Sequence, residues 1–182
     1  MAQLTRRAIL LRVPDLAGLD LSGIDLADAE LPGCILRGTN LRQAILRRTN
    51  LVGADLTEAN LLGAVMTRCN LREAKLIGTN MYGVSLREAN LSDAILHGAN
   101  LAGSNLIGTN LAGADLTGAN LNRTNLNDAN LGGAILVGAN LQAAHGAANL
   151  NGAVYAADGR HPTLFPAGFN PAAHGMVRQA SD

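Results

Sequence analysis

Residues 89–103 read Ala89-Asn90-Leu91-Ser92-Asp93, Ala94-Ile95-Leu96-His97-Gly98, Ala99-Asn100-Leu101-Ala102-Gly103: three five-residue units, each centred on leucine. Outward in both directions the spacing holds from Leu16 to Leu141 without a gap. Of the 26 central positions 24 are Leu, and the other two are Met66 and Met81. A period of five suits neither regular element. On a helix, five steps of about 100° rotate a side chain through about 140°, so no face collects the leucines. On one straight strand, five steps send successive leucines to opposite faces. The leucines are buried together only if the chain turns a corner every five residues, which winds it into a coil.

The neighbours of each centre agree. Two residues before it stand Ala, Thr, Cys or Ser at 22 of 26 positions, as in Ala54, Cys69, Thr79 and Ser104. Alternation in a short extended segment points this small residue and the centre inward together, and a large side chain beside a small one fills a narrow tube without overpacking. Two residues after the centre, 15 of 26 positions are Gly, among them Gly53, Gly103 and Gly138. A type II corner needs positive φ at its third residue, which Gly adopts without steric cost. The residues just before and just after the centre are expected to face solvent.

Units such as Ala54-Asp55-Leu56-Thr57-Glu58, Ala89-Asn90-Leu91-Ser92-Asp93 and Ala119-Asn120-Leu121-Asn122-Arg123 resemble the A-(D/N)-L-x-x motif of the pentapeptide-repeat family. The resemblance covers about residues 12–157. It implies an all-β fold, a right-handed quadrilateral parallel β-helix with four pentads per coil. Periodicity alone requires corners but does not give their number. With four sides, the 26 pentads make about six and a half coils, and ~4.8 Å between coils gives a rod of roughly 31 Å.

A second period lies on the first. The residue before the centre is Asn at every tenth position from Asn40 to Asn140. Four sides per coil place Asn40, Asn60, Asn80, Asn100, Asn120 and Asn140 on one face and Asn50, Asn70, Asn90, Asn110 and Asn130 on the opposite one. Amides stacked one coil apart can bond each other or the corner backbone. They are read as register locks rather than as a ligand-binding array.

Composition narrows the function. Lys plus Arg and Asp plus Glu each number 14, so the net charge is zero and no basic surface argues for nucleic acid or an anionic membrane. The apolar run Ala8–Leu11 is short and bracketed by arginines, no stretch has transmembrane length, and a cytoplasmic location is expected. His97, His145, His161 and His174 lie at no metal-ligand spacing. No phosphate-binding glycine loop or nucleophile motif appears, so neither cofactor, metal nor catalytic residue is expected. Cys34 and Cys69 both take the small inward position, on different faces nearly two coils apart, and are read as core thiols.

An open β-helix must cap its strand edges. The expected organisation is an N-terminal cap over 1–13, the β-helix over 14–157, and a C-terminal aromatic and proline-containing cap or tail over 158–182. Leu4, Ile9 and Leu11 are candidates for the first cap. After Leu141 the register slips by one, since the next leucine is Leu150. The segment Thr163-Leu164-Phe165-Pro166-Ala167-Gly168-Phe169-Asn170-Pro171, with Gly175-Met176, resembles a tail of many cyanobacterial pentapeptide-repeat proteins, with Asn170 in place of the usual Asp. Phe165 and Phe169 are expected to cover the last leucine layer.

Two surface features remain once the pentads are sorted by face. Arg47, Arg48, Arg68 and Arg87 fall on one face over three successive coils, with Glu88 the only acid among them. On an adjacent face Ile77, Ile95, Ile135 and Val137 point outward, and exposed apolar stripes mark contact sites. The leading expectation is a non-enzymatic protein-interaction module, with a weak homodimer as one possible association. The resemblance also brings in the quinolone-resistance pentapeptide proteins, which bind DNA gyrase by imitating duplex DNA. Those proteins are strongly acidic, and zero net charge counts against that alternative.

Overall fold

The computed structural model describes residues 6–11, 13–157 and 159–179. Parallel bridges join each residue before a centre to its counterpart twenty positions on, from Asp15↔Ile35 to Asn125↔His145. Twenty residues are four pentads, so the coil has four sides, as the resemblance implied. Each bridge is one residue long because a corner follows it, and among the described residues the only two-residue strands lie at the C-terminal end: β1 (Val154–Tyr155) and β2 (Val177–Arg178), paired in parallel. All 26 centres from Leu16 to Leu141 are buried, and the small residues beside them complete the core.

Polar groups that enter the tube are satisfied inside it. The hydroxyls of Thr39, Thr49 and Thr109 donate to the carbonyls of Leu16, Leu26 and Leu86 at 2.7–2.9 Å. Cys69 Sγ donates to the Thr49 carbonyl at 3.1 Å. A small hydroxyl or thiol is therefore tolerated where a larger polar group would lack a partner. Cys34 and Cys69 are both free and buried.

The corners are broader in chemistry than glycine. Ten non-glycine residues at the third corner position, among them Asp28, Arg48, Arg68 and Glu88, share the glycines' conformation with φ between 53° and 60°. None is β-branched, which is the class that this region penalises most. All but Arg123 have their amides held by the next coil, as in Asp28 N–H to the Arg47 carbonyl (2.8 Å) and Arg48 N–H to the Thr67 carbonyl (3.0 Å). These residues face solvent, so each pentad offers three outward positions rather than two.

The amide ladders form as expected and extend further. Asn110 Nδ2 donates to Asn90 Oδ1, and Asn130 Nδ2 to Asn110 Oδ1, both at 3.2 Å. Each oxygen also accepts the N–H two residues on, as from Ala112 to Asn110. Acids begin both ladders: Asn40 donates to Asp20 and Asn50 to Glu30. A first rung needs only an acceptor, and a carboxylate is that.

At the N-terminal end α1 (Arg6–Leu10) sets Ile9 in the core, while Leu11 is 79% exposed. Leu4 and Arg12 lie outside the described residues. At the other end the slip after Leu141 is absorbed on one side: His145 still pairs at an offset of twenty, but Asn149 pairs with Asn130 at nineteen. The ladder survives, since Asn149 Nδ2 donates to Asn130 Oδ1 at 2.8 Å. Val154 then bridges Ile135, and Leu164 bridges Asn140. The four-sided winding thus runs past residue 157, with Thr163 as the small inward residue and Phe165 in the centre's place. Phe165 stacks on Phe169 (4.9 Å) and meets Tyr155 edge-on (5.7 Å), covering the end of the core.

Candidate interaction surface

The face that bears the isoleucines is built from two parallel columns. Its ladder runs Asp15, Ile35, Asp55, Lys75, Ile95, Asp115, Ile135, Val154. The second column, one residue past each centre, carries Thr57, Ile77, His97, Thr117 and Val137 at the same spacing. Ile77 and Ile135 are 38% and 36% exposed, while Ile95 and Val137 are half-buried. All four therefore lie on one face, but not as an unbroken stripe. Between them His97 Nε2 meets Asp115 Oδ2 at 2.6 Å, and Thr117 Oγ1 donates to Asp115 Oδ1 at 2.6 Å. Burial pushes the Asp115 carboxyl up, but hydrogen bonds from Thr117 and His97 outweigh it and hold the group below its ordinary range. The surface is an aliphatic quartet around one polar couple.

A shallow groove of about 400 Å³ borders this quartet, lined by Gly98, Thr117, Gly118, Val137, Gly138 and His161. Its floor is the glycine column of the corners, and His161 comes from the segment that folds back over Gly138, where an added Cβ would stand 3.3 Å from His161 Cβ. Sequence reasoning missed His161 because a loop contact has no period.

The arginine face is partly neutralised. Arg48 makes a bidentate pair with Asp28 (2.6 and 2.7 Å), and Arg68 pairs with Glu88 at 2.7 Å. Hydrogen bonds from these arginines hold the Asp28 and Glu88 carboxyls below their ordinary values. Among the described residues Arg47 and Arg87 make no ion pair. A groove of about 200 Å³ lies among Arg47, Arg48, Thr67 and Arg68. Asp28 escapes a reading confined to the arginines' own three coils, since it belongs to the coil before.

Charge is layered along the rod. The coil of residues 14–33 carries five acids and no base, and that of 34–53 four arginines and no acid. Duplex DNA presents one charge per ~1.7 Å, so a rod of roughly 31 Å would need about 18 to match it. The chain has 14 acids against 14 bases, with no long acidic row. Among the described residues no three His, Cys, Asp or Glu side chains converge to hold a metal, and no helix is long and apolar enough to cross a membrane.

Comparison with known proteins matches the pentapeptide-repeats family in eight copies, over residues 15–48, 49–87, 85–123 and 119–154. No curated protein sequence matches. Among solved structures the chain is similar to HetL, a pentapeptide repeat protein involved in heterocyst differentiation regulation in the cyanobacterium Nostoc sp. strain PCC 7120. That likeness has 28% identity, covers 90% of this chain and 82% of that one, and gives a TM-score of 0.41. A pentapeptide repeat protein of the Arabidopsis thaliana thylakoid lumen is 31% identical over 53% of this chain and 70% of that one, with a TM-score of 0.44. QnrB1, a plasmid-mediated fluoroquinolone resistance protein, is 21% identical over 88% and 77%, with a TM-score of 0.36.

Proposed function

The chain belongs to the pentapeptide-repeat family, and from that premise we propose that it is a non-enzymatic protein-interaction module, a rigid rod whose faces carry recognition. The observation that most supports this is the aliphatic quartet Ile77, Ile95, Ile135 and Val137 set around the His97–Asp115 couple. Each inward side chain and ladder amide is committed to the coil, so outward residues vary without cost to the fold and are free to encode a partner. An apolar quartet with one polar pair and a glycine-floored groove suits a protein surface better than a polyanion. Four aliphatic side chains are too few for an obligate interface, which buries upward of ~2,000 Å². The module is a monomer or a weak homodimer that engages its partner through this face, with the arginine face second. The zero net charge and layered acids weigh against a gyrase-binding DNA mimic.

The test pairs sedimentation with affinity capture, using wild type, an Ile95→Lys/Ile135→Lys variant and an Arg47→Glu/Arg87→Glu variant. The expected result is a partner, or a weak dimer, lost with the lysines and kept with the glutamates. Retention by the lysine variant would sink the isoleucine face, and potent protection of gyrase from quinolones in a supercoiling assay would favour DNA mimicry instead.

A further inference from the structure

The last coil has one side that is both unfilled and unpaired. From Leu16 to Leu141 every centre puts a leucine or methionine into the tube, but the side after Leu141 reads Ala144-His145-Gly146, with glycine in the centre's place. This is the side shortened by one residue. Gly146 has φ 108°, and a Cβ on it would run into the Asn127 amide nitrogen and stand 2.9 Å from Asn127 Cα. Closing the coil one residue early therefore demands glycine there, and the core loses a side chain. What remains is a pocket of about 260 Å³ walled by Leu126, Leu141, Leu150, Phe165 and Phe169, with Ala148 beside them. Leu126 and Leu141 regain slight exposure, 5% and 3%, where the inner centres have almost none.

The backbone of the same side is open. One coil earlier, the side Thr124-Asn125-Leu126 is covered in the usual way: His145 N–H donates to the Thr124 carbonyl (3.0 Å), and Leu126 N–H donates to the His145 carbonyl (2.8 Å). The equivalent groups of the last side are the Ala144 carbonyl and the Gly146 N–H, and among the described residues neither makes a hydrogen bond. On the other three sides Leu150, Tyr155 and Phe165 fill the centre's place, although among the described residues the Ala148 carbonyl and Leu150 N–H, and the Thr163 carbonyl and Phe165 N–H, also make no hydrogen bond. Val177 and Gln179 pair with Ala153 and Tyr155, Gly175 accepts from Gly152, and Phe169 folds onto Phe165.

We propose that this side binds one extended segment of a partner protein, added in parallel as a further coil would be. A residue of the segment donates to the Ala144 carbonyl and accepts from the Gly146 N–H, as His145 does one layer below. The next residue drops an apolar side chain into the pocket. About 150 Å³ suffices for a benzene ring, so the space admits one leucine or phenylalanine. Apart from His145 its lining side chains are apolar, so a charged residue at that place is disfavoured by desolvation. The residue before the pairing one also points inward, against the chain end, and must be small. The recognised pattern is small–polar–Leu or small–polar–Phe, an instance of strand addition with a side-chain pocket supplying specificity. The site is separate from the isoleucine face and does not depend on it.

The experiment titrates the isotope-labelled full chain with acetyl-Thr-Ala-Asn-Leu-Thr-Gly-amide and with the same peptide carrying Asp for Leu, reading amide and methyl shifts. The expected result is saturable shifts at Gly146, Ala144 and the Leu126 methyls, with the Asp peptide weaker by about tenfold or more. An Ala148→Leu variant fills the pocket while leaving both edge groups in place, and should lose the preference for leucine. Equal binding of the two peptides, shifts elsewhere on the rod, or toluene entering the pocket with no peptide bound would overturn the proposal. The peptide comparison needs only the wild-type chain, so it decides the matter even where the variant does not fold.

Discussion

Replacing Leu101 with alanine removes a side chain that is 0% exposed in the middle of the rod. Withdrawing a buried leucine forfeits ~1.5–3 kcal/mol of transfer free energy, and a cavity that cannot relax raises the total to ~3–5 kcal/mol. Relaxation here is restricted. Met81 and Leu121 stand one coil away on either side, and the coil spacing is held by Met81 N–H to the Asn100 carbonyl and Leu101 N–H to the Asn120 carbonyl, both 2.8 Å. Neighbouring coils cannot close on the gap without breaking these bonds, so the upper part of the range is expected. Leu101→Asp adds a carboxylate with no partner in the tube and should abolish the soluble folded protein. Ala102→Ser, one residue on and facing solvent, should change stability by less than about 0.5 kcal/mol. Equilibrium urea unfolding followed by circular dichroism measures all three. If Leu101→Ala costs under about 1 kcal/mol, or Ala102→Ser costs as much as Leu101→Ala, the stacked-leucine account of the fold is wrong.

Thiol chemistry reports on the same core. Burial pushes the Cys69 thiol up to about 12 and raises that of Cys34, so a thiolate-specific reagent near neutral pH should label neither in the native chain and both in denaturant. Rapid native labelling of Cys69 would show that the coil opens locally. Acid should act in one direction. Asp20, Asp28, Asp55 and Asp115 are held below an ordinary 3.8 and Glu88 below 4.5, so their stabilising contribution is complete above those values and lost as pH falls through the lower folded-state ones. Stability measured across that acid range should decline, and a rise on acidification would contradict the assigned partners.

Much of this molecule is legible in its sequence because its contacts repeat at one distance. Leucine every fifth residue dictates corners, small residues two places earlier dictate the second inward position, and the tenfold asparagine period places two ladders once the number of sides is known. Even the start of the ladders at Asp20 and Glu30 follows from the same spacing. The four sides themselves needed either the family resemblance or the twenty-residue bridges, since corners alone allow other polygons. What periodicity could not supply are the places where contacts depart from it. The isoleucine face looked like a stripe because a one-residue column does not show that His97 reaches Asp115 across it. Asp28, by contrast, lies one twenty-residue step before Arg48 at the same corner position, so that pair is legible once the coil has four sides and escapes only a reading that leaves out the coil before the arginines. His161 arrives by a loop, and the open side at Gly146 arises from one missing residue whose effect appears only when the last coil closes against Leu126, Leu150 and Phe165. A local pattern determines the interior of a solenoid, because each coil meets only copies of itself. Its surface chemistry and its ends depend on side-chain reach and chain closure, and those exist only in three dimensions.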